Sequence, residues 1–537
     1  MHRSLLIAEI QLSIFDQVFN VDRRPDRKTL AALARTCRAF TETALDVQWR
    51  HLDFFVRVIQ CLPRDLWNLD AGSDGNISVL TFQRTMIPSD WAVFQKYARR
   101  VRFVMGPGAV THSNPGRAIS IDGQVFIALC SAPAPIPLLP NLTSLNWNLR
   151  ARGHIHILWR LISPSLTSLM LCVQASTLTS PRDLSLLALL GHVCPSLKEF
   201  HVVGAGDARG VVHALTWSVC RMQNLTAITN HHLGSEAILH LARLPSLTHL
   251  TISIPPNFNP ISTVLHLRKP AFSSLRELNV CSDTLVRTTA FLKLIDVAPE
   301  VVVARANSAS GAVVVADLFA TLASSCSPNA VHNVRISDIT YPSIEVDPQD
   351  YTIGLQELRP LLRFAKLRHL HLDTECSFAL DDTTLLEMAK AWPNIVVLSL
   401  NRYARWDIAA QVTPLGFLTL LQRCPNLAEL SIAIDFSSID SELPLDRPRS
   451  GFSTKTLEEL HLGNSRVEYP IAIAAFLADI LPSSVWVTTI WGSENFVDEP
   501  FAQLREQRWE VVKKLLKEFA AAREQELQRD ENSMVVD

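Results

Sequence analysis

A short leucine motif recurs along most of this 537-residue chain, and it limits the fold more than any other feature. A small or proline-containing lead-in is followed by Leu-x-x-Leu-x-Leu. The copies read LPNLTSLNW (Leu139–Trp147), SPSLTSLML (Ser163–Leu171), CPSLKEFHV (Cys194–Val202), LPSLTHLTI (Leu244–Ile252) and FSSLRELNV (Phe272–Val280). Later come FAKLRHLHL (Phe364–Leu372), WPNIVVLSL (Trp392–Leu400), CPNLAELSI (Cys424–Ile432) and TKTLEELHL (Thr454–Leu462). Weaker copies sit at Met222–Asn230, Ala298–Ala306, Ser327–Ile336 and Pro482–Ile490. Anchors Leu142, Leu166, Leu197, Leu225, Leu247 and Leu275 are 24, 31, 28, 22 and 28 residues apart. Leu367, Ile395, Leu427 and Leu457 follow at gaps of 28, 32 and 30.

The last two apolar residues of the motif flank one polar residue, as a half-buried strand requires. Helical stretches lie between the motifs: Arg182–Val193, Arg209–Cys220, Ser235–Arg243, Asp382–Ala391 and Leu415–Arg423. Ser180, Pro181 and Asp183 fit a capped helix start with proline first and a capping box. The helices stop before Pro195, Pro245, Pro393 and Pro425, since the residue preceding proline disfavours helix. Each unit is therefore strand, turn, helix, turn, and none buries its apolar face alone. The expected fold is α/β, a leucine-rich-repeat solenoid over residues 139–495 with a curved parallel sheet and convex helices. A doubly wound α/β enzyme would want a glycine-rich phosphate turn. The nearest approach, Gly204-Ala205-Gly206, has its third glycine at Gly210, one place too late.

Composition narrows the function. Apolar residues make up 48% and charged residues 19%, enough for a large core and against long disordered stretches. Lys+Arg is 50 and Asp+Glu is 52, a net charge of -2, which removes the electrostatic footprint of a nucleic-acid binder. The 10 cysteines form no CxxC pair or zinc spacing and read as buried thiols in a reducing compartment. Glu9 and Asp16 interrupt the first apolar stretch, so it does not read as a signal peptide. The longest stretch free of Asp, Glu, Lys and Arg, Gly123–Leu149, contains four prolines and many polar residues, and it does not read as a membrane helix. The expectation is a soluble protein of the cytoplasm, the nucleus or both, with no nucleic-acid or membrane partner.

Residues 1–60 follow another pattern, with three helices expected over Leu5–Val18, Lys28–Cys37 and Thr41–Leu52. Ile7-Ala8-Glu9-Ile10, Ile14-Phe15, Leu30-Ala31-Ala32-Leu33 with Cys37-Arg38-Ala39-Phe40, and Trp49-Arg50-His51-Leu52 resemble the elements of an F-box. The usual opening proline is replaced by Ala8. Trp91–Val104 and the C-terminal RWEVVKKLLKEFAAAREQE look like parts of fungal F-box/repeat proteins. The resemblance implies a non-enzymatic substrate receptor of a Skp–cullin–F-box ubiquitin ligase. Its helical module would dock on a Skp-family adaptor through Leu6, Ile7, Glu9, Ile10, Ile14, Phe15, Leu33, Cys37, Phe40, Leu45 and Trp49. Some of these residues would instead hold the module together, and a remainder is expected as an exposed apolar patch. An N-terminal solenoid cap, in a repeat scaffold outside ubiquitin ligation, is the alternative. Residues 61–138 read as linker and cap. Gly106–Gly123, Ser131–Pro140 and Asp435–Thr454 read as loops. Leu504–Glu526 reads as a closing helix whose stripe is Leu504, Val512, Leu516 and Phe519, and Arg529–Asp537 reads as a disordered tail.

No nucleophile elbow, H-E-x-x-H or P-loop is present, and no cofactor or metal is expected. Of the 17 histidines, His231-His232, His369 with His371, and His154 with His156 lie closest in sequence. His201, His371 and His461 each take the polar place in Leu-x-Leu and are expected tens of ångströms apart. The concave face should carry His201, His249, Arg335, His369, His371, Asp373 and His461, together with Lys198, Glu199, Arg276, Glu277, Asn279, Arg368, Glu429 and Glu459. Mixed charge there suits a protein partner, a substrate of unknown identity, better than a phosphate backbone.

Overall fold

Each copy of the motif forms one strand of a parallel ladder, and its leading leucine is buried. Anchors Leu142, Leu166, Leu197, Leu225, Leu247, Leu275, Leu367, Ile395, Leu427 and Leu457 are all sealed from solvent. The structure, a computed structural model, describes residues 7–18, 26–71, 77–106, 118–131, 136–149, 154–174, 176, 178, 180–204, 206, 208–230, 232–255, 271–338, 348–402, 408–439, 453–492 and 501–534. It divides into two units, Met1–Leu247 and Thr248–Asp537.

In the first unit the ladder runs His51–Leu52, Phe103–Val104, Ser144–Leu149, Ser168–Val173, Glu199–Val203 and Ala227–Asn230. Two buried rows cross it, Leu145–Leu169–Phe200–Ile228 and Trp147–Leu171–Val202–Asn230. The second unit's ladder runs His249–Ser253, Glu277–Ser282, Val301–Ala306, Asn333–Ser337, His369–Asp373, Val397–Leu400, Glu429–Ser431, Glu459–His461 and Trp486–Thr488. Leu250, Leu278, Val302, Val334, Leu370, Leu398, Leu430, Leu460 and Val487 form one unbroken buried row across these strands. This is the leucine-rich-repeat fold, with one face of each strand turned to a helix layer and the other left open.

The connecting helices start where their caps place them. Ser180 Oγ accepts the Asp183 N–H at 3.1 Å and opens helix Pro181–Val193. Asp381 accepts the Thr384 N–H at 2.7 Å before Asp382–Ala391, and Thr413 accepts the Gly416 N–H at 3.3 Å before Pro414–Arg423. Arg209–Val219 and Ser235–Leu241 also fall on their expected stretches. Gly204, at φ +78°, ends its strand where an added Cβ would lie 2.5 Å from the Val173 carbonyl oxygen. Close backbone approach, not phosphate binding, accounts for that glycine.

The N-terminal segment folds as α1 (Ala8–Phe15), α2 (Arg27–Thr36) and α3 (Arg38–Arg50). Phe15, Leu30, Ala44 and Val47 form its core, edged by Leu12, Val18, Leu33, Ala34 and Phe40. The Phe15 and Phe40 rings meet edge-on at 5.3 Å. Helix α3 runs directly into the His51–Leu52 strand, which pairs with Phe103–Val104, so the ladder begins at His51 rather than at 139. Those two-residue strands lack the motif and gave no periodic signal. A three-stranded sheet of Trp67–Ala71, Ile77–Phe82 and Ala118–Ile121, and the helix Pro88–Ala98, occupy the stretch expected as linker. Residues 107–117, 132–135 and 440–452 of the expected loops lie outside the described residues.

The closing helix Ala502–Met534 is longer than its sequence reading. It continues past Arg529 through a stretch free of glycine and proline, and residues 535–537 lie outside the described residues. Its stripe is Ala502, Trp509, Val512 and Leu516, while Leu504 is exposed and Phe519 half-buried. Trp509 falls at the centre of that stripe, whereas Leu504 falls well to the side of it. Trp509 and Trp491 both donate their indole N–H to the Ser465 carbonyl at 2.9 Å.

Truncating the central leucine row should be costly. Leu370→Ala is expected to destabilise the second unit by about 2–5 kcal/mol, seen as a lower urea midpoint. His369→Ala, one residue away on the open face, should stay within about 0.5 kcal/mol of wild type.

Candidate functional site

Two surfaces carry the residues singled out from the sequence. The first is α1. Ile7, Ile10 and Ile14 are 47%, 37% and 46% exposed, and Glu9 is exposed beside them. Their spacing of three and four residues puts the isoleucines on one face. Gln11 and Phe15 lie on the adjoining side of the helix, which is buried, and there Gln11 Oε1 accepts the Thr43 hydroxyl at 2.7 Å. Phe15, expected to bind the adaptor or to hold the module together, is a core residue: its ring meets Phe40 edge-on and packs with Leu30, Ala44 and Val47. Leu33 and Phe40 pack on the same core. Cys37 caps the start of α3, and Leu45 and Trp49 are half-buried. The Trp49 ring lies 4.8 Å from that of Tyr97. Leu6 lies outside the described residues.

A single buried cation ties this module to its own unit. The Arg100 guanidinium reaches across to the Glu42 and Asp46 carboxylates of α3 and to the Glu42 carbonyl at 3.1 Å. The bond from Arg100 holds the Glu42 carboxyl below its usual range. His51 also stacks on Phe103, with centroids 4.3 Å apart, beside the paired strands.

The second surface is the open face of the sheet. In the first unit it carries a row of Asn146, Met170, His201 and Thr229. His201 Nδ1 lies 3.0 Å from the Thr229 hydroxyl. In the second unit one row reads His249, Glu277, Val301, Asn333, His369, Val397, Glu429, Glu459, Trp486. His249 is exposed, 4.0 Å from Glu277. The next row reads Thr251, Asn279, Val303, Arg335, His371, Ser399, Ser431, His461, Thr488. Arg335 is exposed, whereas Ser399 and Ser431 are buried. His369, His371 and Asp373 are half-buried, and the two histidines share the face as strand periodicity requires. His371 and His461 stand only three strands apart, about 14 Å at the usual spacing, closer than the tens of ångströms expected, because few repeats separate them.

His461 is not the exposed contact expected of it. It is buried and fully engaged: Nε2 lies 3.1 Å from the Glu459 carboxylate, and Nδ1 meets the Thr488 hydroxyl. Arg402 explains why. Its guanidinium bonds Glu429 at 2.9 Å and Glu459 at 2.8 Å, and its backbone N–H reaches the Asp373 carboxylate at 3.2 Å. Glu429, Glu459 and His461 are close enough to surround a metal ion. Both carboxylates, however, already hold the guanidinium, and both imidazole nitrogens are occupied. The donor set fits an arginine-centred network rather than a cation site. The sequence alone does not reveal Arg402, because its partners lie 27 and 57 residues on and meet it only through register.

Burial and neighbouring cations set the other titrations. Desolvation first, then Arg335, His369 and Arg402, push the His371 imidazole down to about 4. Desolvation, Arg368 and Arg335 lower His369. Burial pushes the Cys194, Cys326 and Cys376 thiols up to about 12, so none has the character of a nucleophile. His154 and His156 lie on the helix His154–Leu161, where neighbours two apart point to different sides. His231 lies outside the described residues. No helix among the described residues is long and apolar enough to cross a membrane.

Comparison with known proteins gives structural likeness only. No family model matches the chain, and no curated protein matches it by sequence. Among solved structures, the yeast Rad7–Elc1 complex is similar at 12% identity and a TM-score of 0.33, covering 79% of this chain and 92% of that one. An internalin from Listeria monocytogenes is similar at 12% identity and a TM-score of 0.28, covering 70% of this chain and 93% of that one.

The His371 shift has a definite pH consequence. In the unfolded chain this imidazole takes its proton near 6.5, and in the fold only near 4. Between those values the unfolded state binds more protons, so its contribution to stability is full above about 6.5 and falls as pH drops toward 4. An NMR titration of the imidazole should give the low midpoint. The urea midpoint should fall from pH 7 to pH 5, and less so in His371→Asn.

Proposed function

We propose that this chain is the substrate receptor of a Skp–cullin–F-box-type ubiquitin ligase, and that it is not itself an enzyme. Helix α1 docks on a Skp-family adaptor linked to a cullin, and the open sheet face holds a target protein. The observation that carries this reading is the row Ile7, Ile10, Ile14, left half-exposed on α1 while its other face is buried. A helix that served only to cap the repeats would turn its apolar row inward. An apolar row facing water, beside the exposed Glu9, suits a protein interface with polar surroundings. The F-box-like order of Ile7–Ile10, Ile14-Phe15, Cys37–Phe40 and Trp49–Leu52 supports the same reading.

Function then rests on geometry. Ubiquitination of a held target is accelerated by raised effective concentration between its lysines and the charged conjugating enzyme, with no chemistry from side chains here.

The test separates docking from folding. Ile10→Asp with Ile14→Asp alters exposed positions and should leave the helical content unchanged while abolishing co-purification with a Skp-family adaptor. Phe15→Ala removes a core ring and should unfold the module, at about 3–5 kcal/mol. Unchanged association of the folded Ile10/Ile14 variant would sink the docking role of α1.

A further inference from the structure

The open face of the second unit holds a set of cations that its own architecture leaves unused. Arg305, Arg335 and Arg368 stand on or beside three consecutive strands, Val301–Ala306, Asn333–Ser337 and His369–Asp373, and all three are exposed. Among the described residues none of them has a carboxylate within ion-pair distance. The same face pairs its arginines elsewhere: Arg402 with Glu429 and Glu459, and Arg276 with Glu300 at 3.8 Å. The three are therefore left over within a surface that otherwise balances its charge.

Their neighbours add polarity without negative charge. His371 is the register partner of Arg335, and its Nε2 is shut off from solvent with no hydrogen-bond partner among the described residues. At the entry end of the strands, a cavity of about 340 Å³ is lined by His332, Ala365, Lys366, Arg368, Asn394 and Asn426. It holds two cations, two amides and an imidazole, and no acid. The half-buried Asp373 is bonded by the Arg402 amide, and Glu300 faces Arg276, so both of these acids are engaged.

The dimensions match an extended chain. Arg368 to the level of Arg305 covers five residue steps along a strand, about 17 Å at 3.3 Å per residue, and two strand steps of about 4.8 Å. A segment with acidic side chains on alternate residues presents them about 7 Å apart on one side. A nucleic acid would need a longer cationic track and stacking platforms, and here Glu277 and Glu300 bound the patch on one flank and Glu429 and Glu459 on the other.

We infer that Arg305, Arg335 and Arg368, with the cavity lined by Lys366, Asn394 and Asn426, form the docking site for an acidic, Asp/Glu-rich linear segment of a partner protein. This inference rests on the proposed use of the open face to hold a protein, and it names the chemistry of what is held. The carboxylates replace water around the guanidinium forks, where bidentate bonds give orientation as well as charge.

The full-length chain is titrated against a fluorescein-labelled octaglutamate peptide and a Gly-Ser peptide of equal length, read by anisotropy at two salt concentrations. Octaglutamate should bind, weaken at high salt, and bind at least about ten-fold less well to the Arg305→Glu, Arg335→Glu, Arg368→Glu variant. A labelled octalysine peptide should bind that variant better than wild type, which separates charge recognition from misfolding. Equal binding of both peptides by the wild type, or undiminished octaglutamate binding by the variant, overturns the inference. A duplex DNA oligonucleotide that outcompetes octaglutamate overturns it in favour of nucleic acid. Adaptor co-purification is followed in parallel. If it persists in the charge-reversal variant while octaglutamate fails to bind the wild type, this inference falls and the adaptor reading stands.

Discussion

In-register parallel pairing is the constraint on which the rest of this structure depends. No strand–helix unit closes its own core, so each strand's leucines are sealed only when the next strand places its leucines beside them. The row from Leu250 to Val487 is the physical result, and each fully buried leucine contributes about 1.5–3 kcal/mol. A slip of one residue would turn that row to solvent and bury His369, His371 and their neighbours instead. The burial that stabilises the fold therefore also decides which residues face outward, and in what order.

The N-terminal module takes part in this scheme. Helix α3 becomes the first strand of the ladder, and Arg100 fixes α3 from the far side. A buried guanidinium is costly to desolvate and is tolerated because two carboxylates and a carbonyl converge on it. Removing either carboxylate would leave part of that cost uncompensated. The exposed isoleucines of α1 are thus carried on a module braced to the first unit, not on a tether, and the position of anything bound there is defined with respect to that unit's sheet.

What could be read from the sequence follows from how local each signal is. The leucine anchors and the caps at Ser180, Asp381 and Thr413 depend on residues a few places apart, and the observed strands and helices fall on them. The strands His51–Leu52 and Phe103–Val104 are too short to show any period and acquire their partners only in three dimensions. The sorting of α1 needed the same information: Ile14 and Phe15 are adjacent apolar residues, yet one is exposed and the other is core, because the helix has a single inward side. His461 looked like other strand histidines until Arg402 joined Glu429 to Glu459 above it, a link spanning three repeats.

The open face also shows where stability ceases to explain the sequence. Arg402 is what a folding requirement produces: a cation holding neighbouring strands together through two carboxylates. Arg335 and Arg368 do the opposite. They stand near His369 and, with burial, help keep its imidazole uncharged, and among the described residues neither has a carboxylate within ion-pair distance. Surface ion pairs are individually weak, so leaving these arginines unpaired costs little in isolation. Concentrating cations on adjacent strands is nevertheless unfavourable for the free protein, and burial of the leucine row does not demand it. A repeat fold is well suited to carry such a patch, because its core lies behind the sheet and any outward residue can change without disturbing it. The arginines are explained by what the face meets, whereas the leucines behind them are explained by the fold.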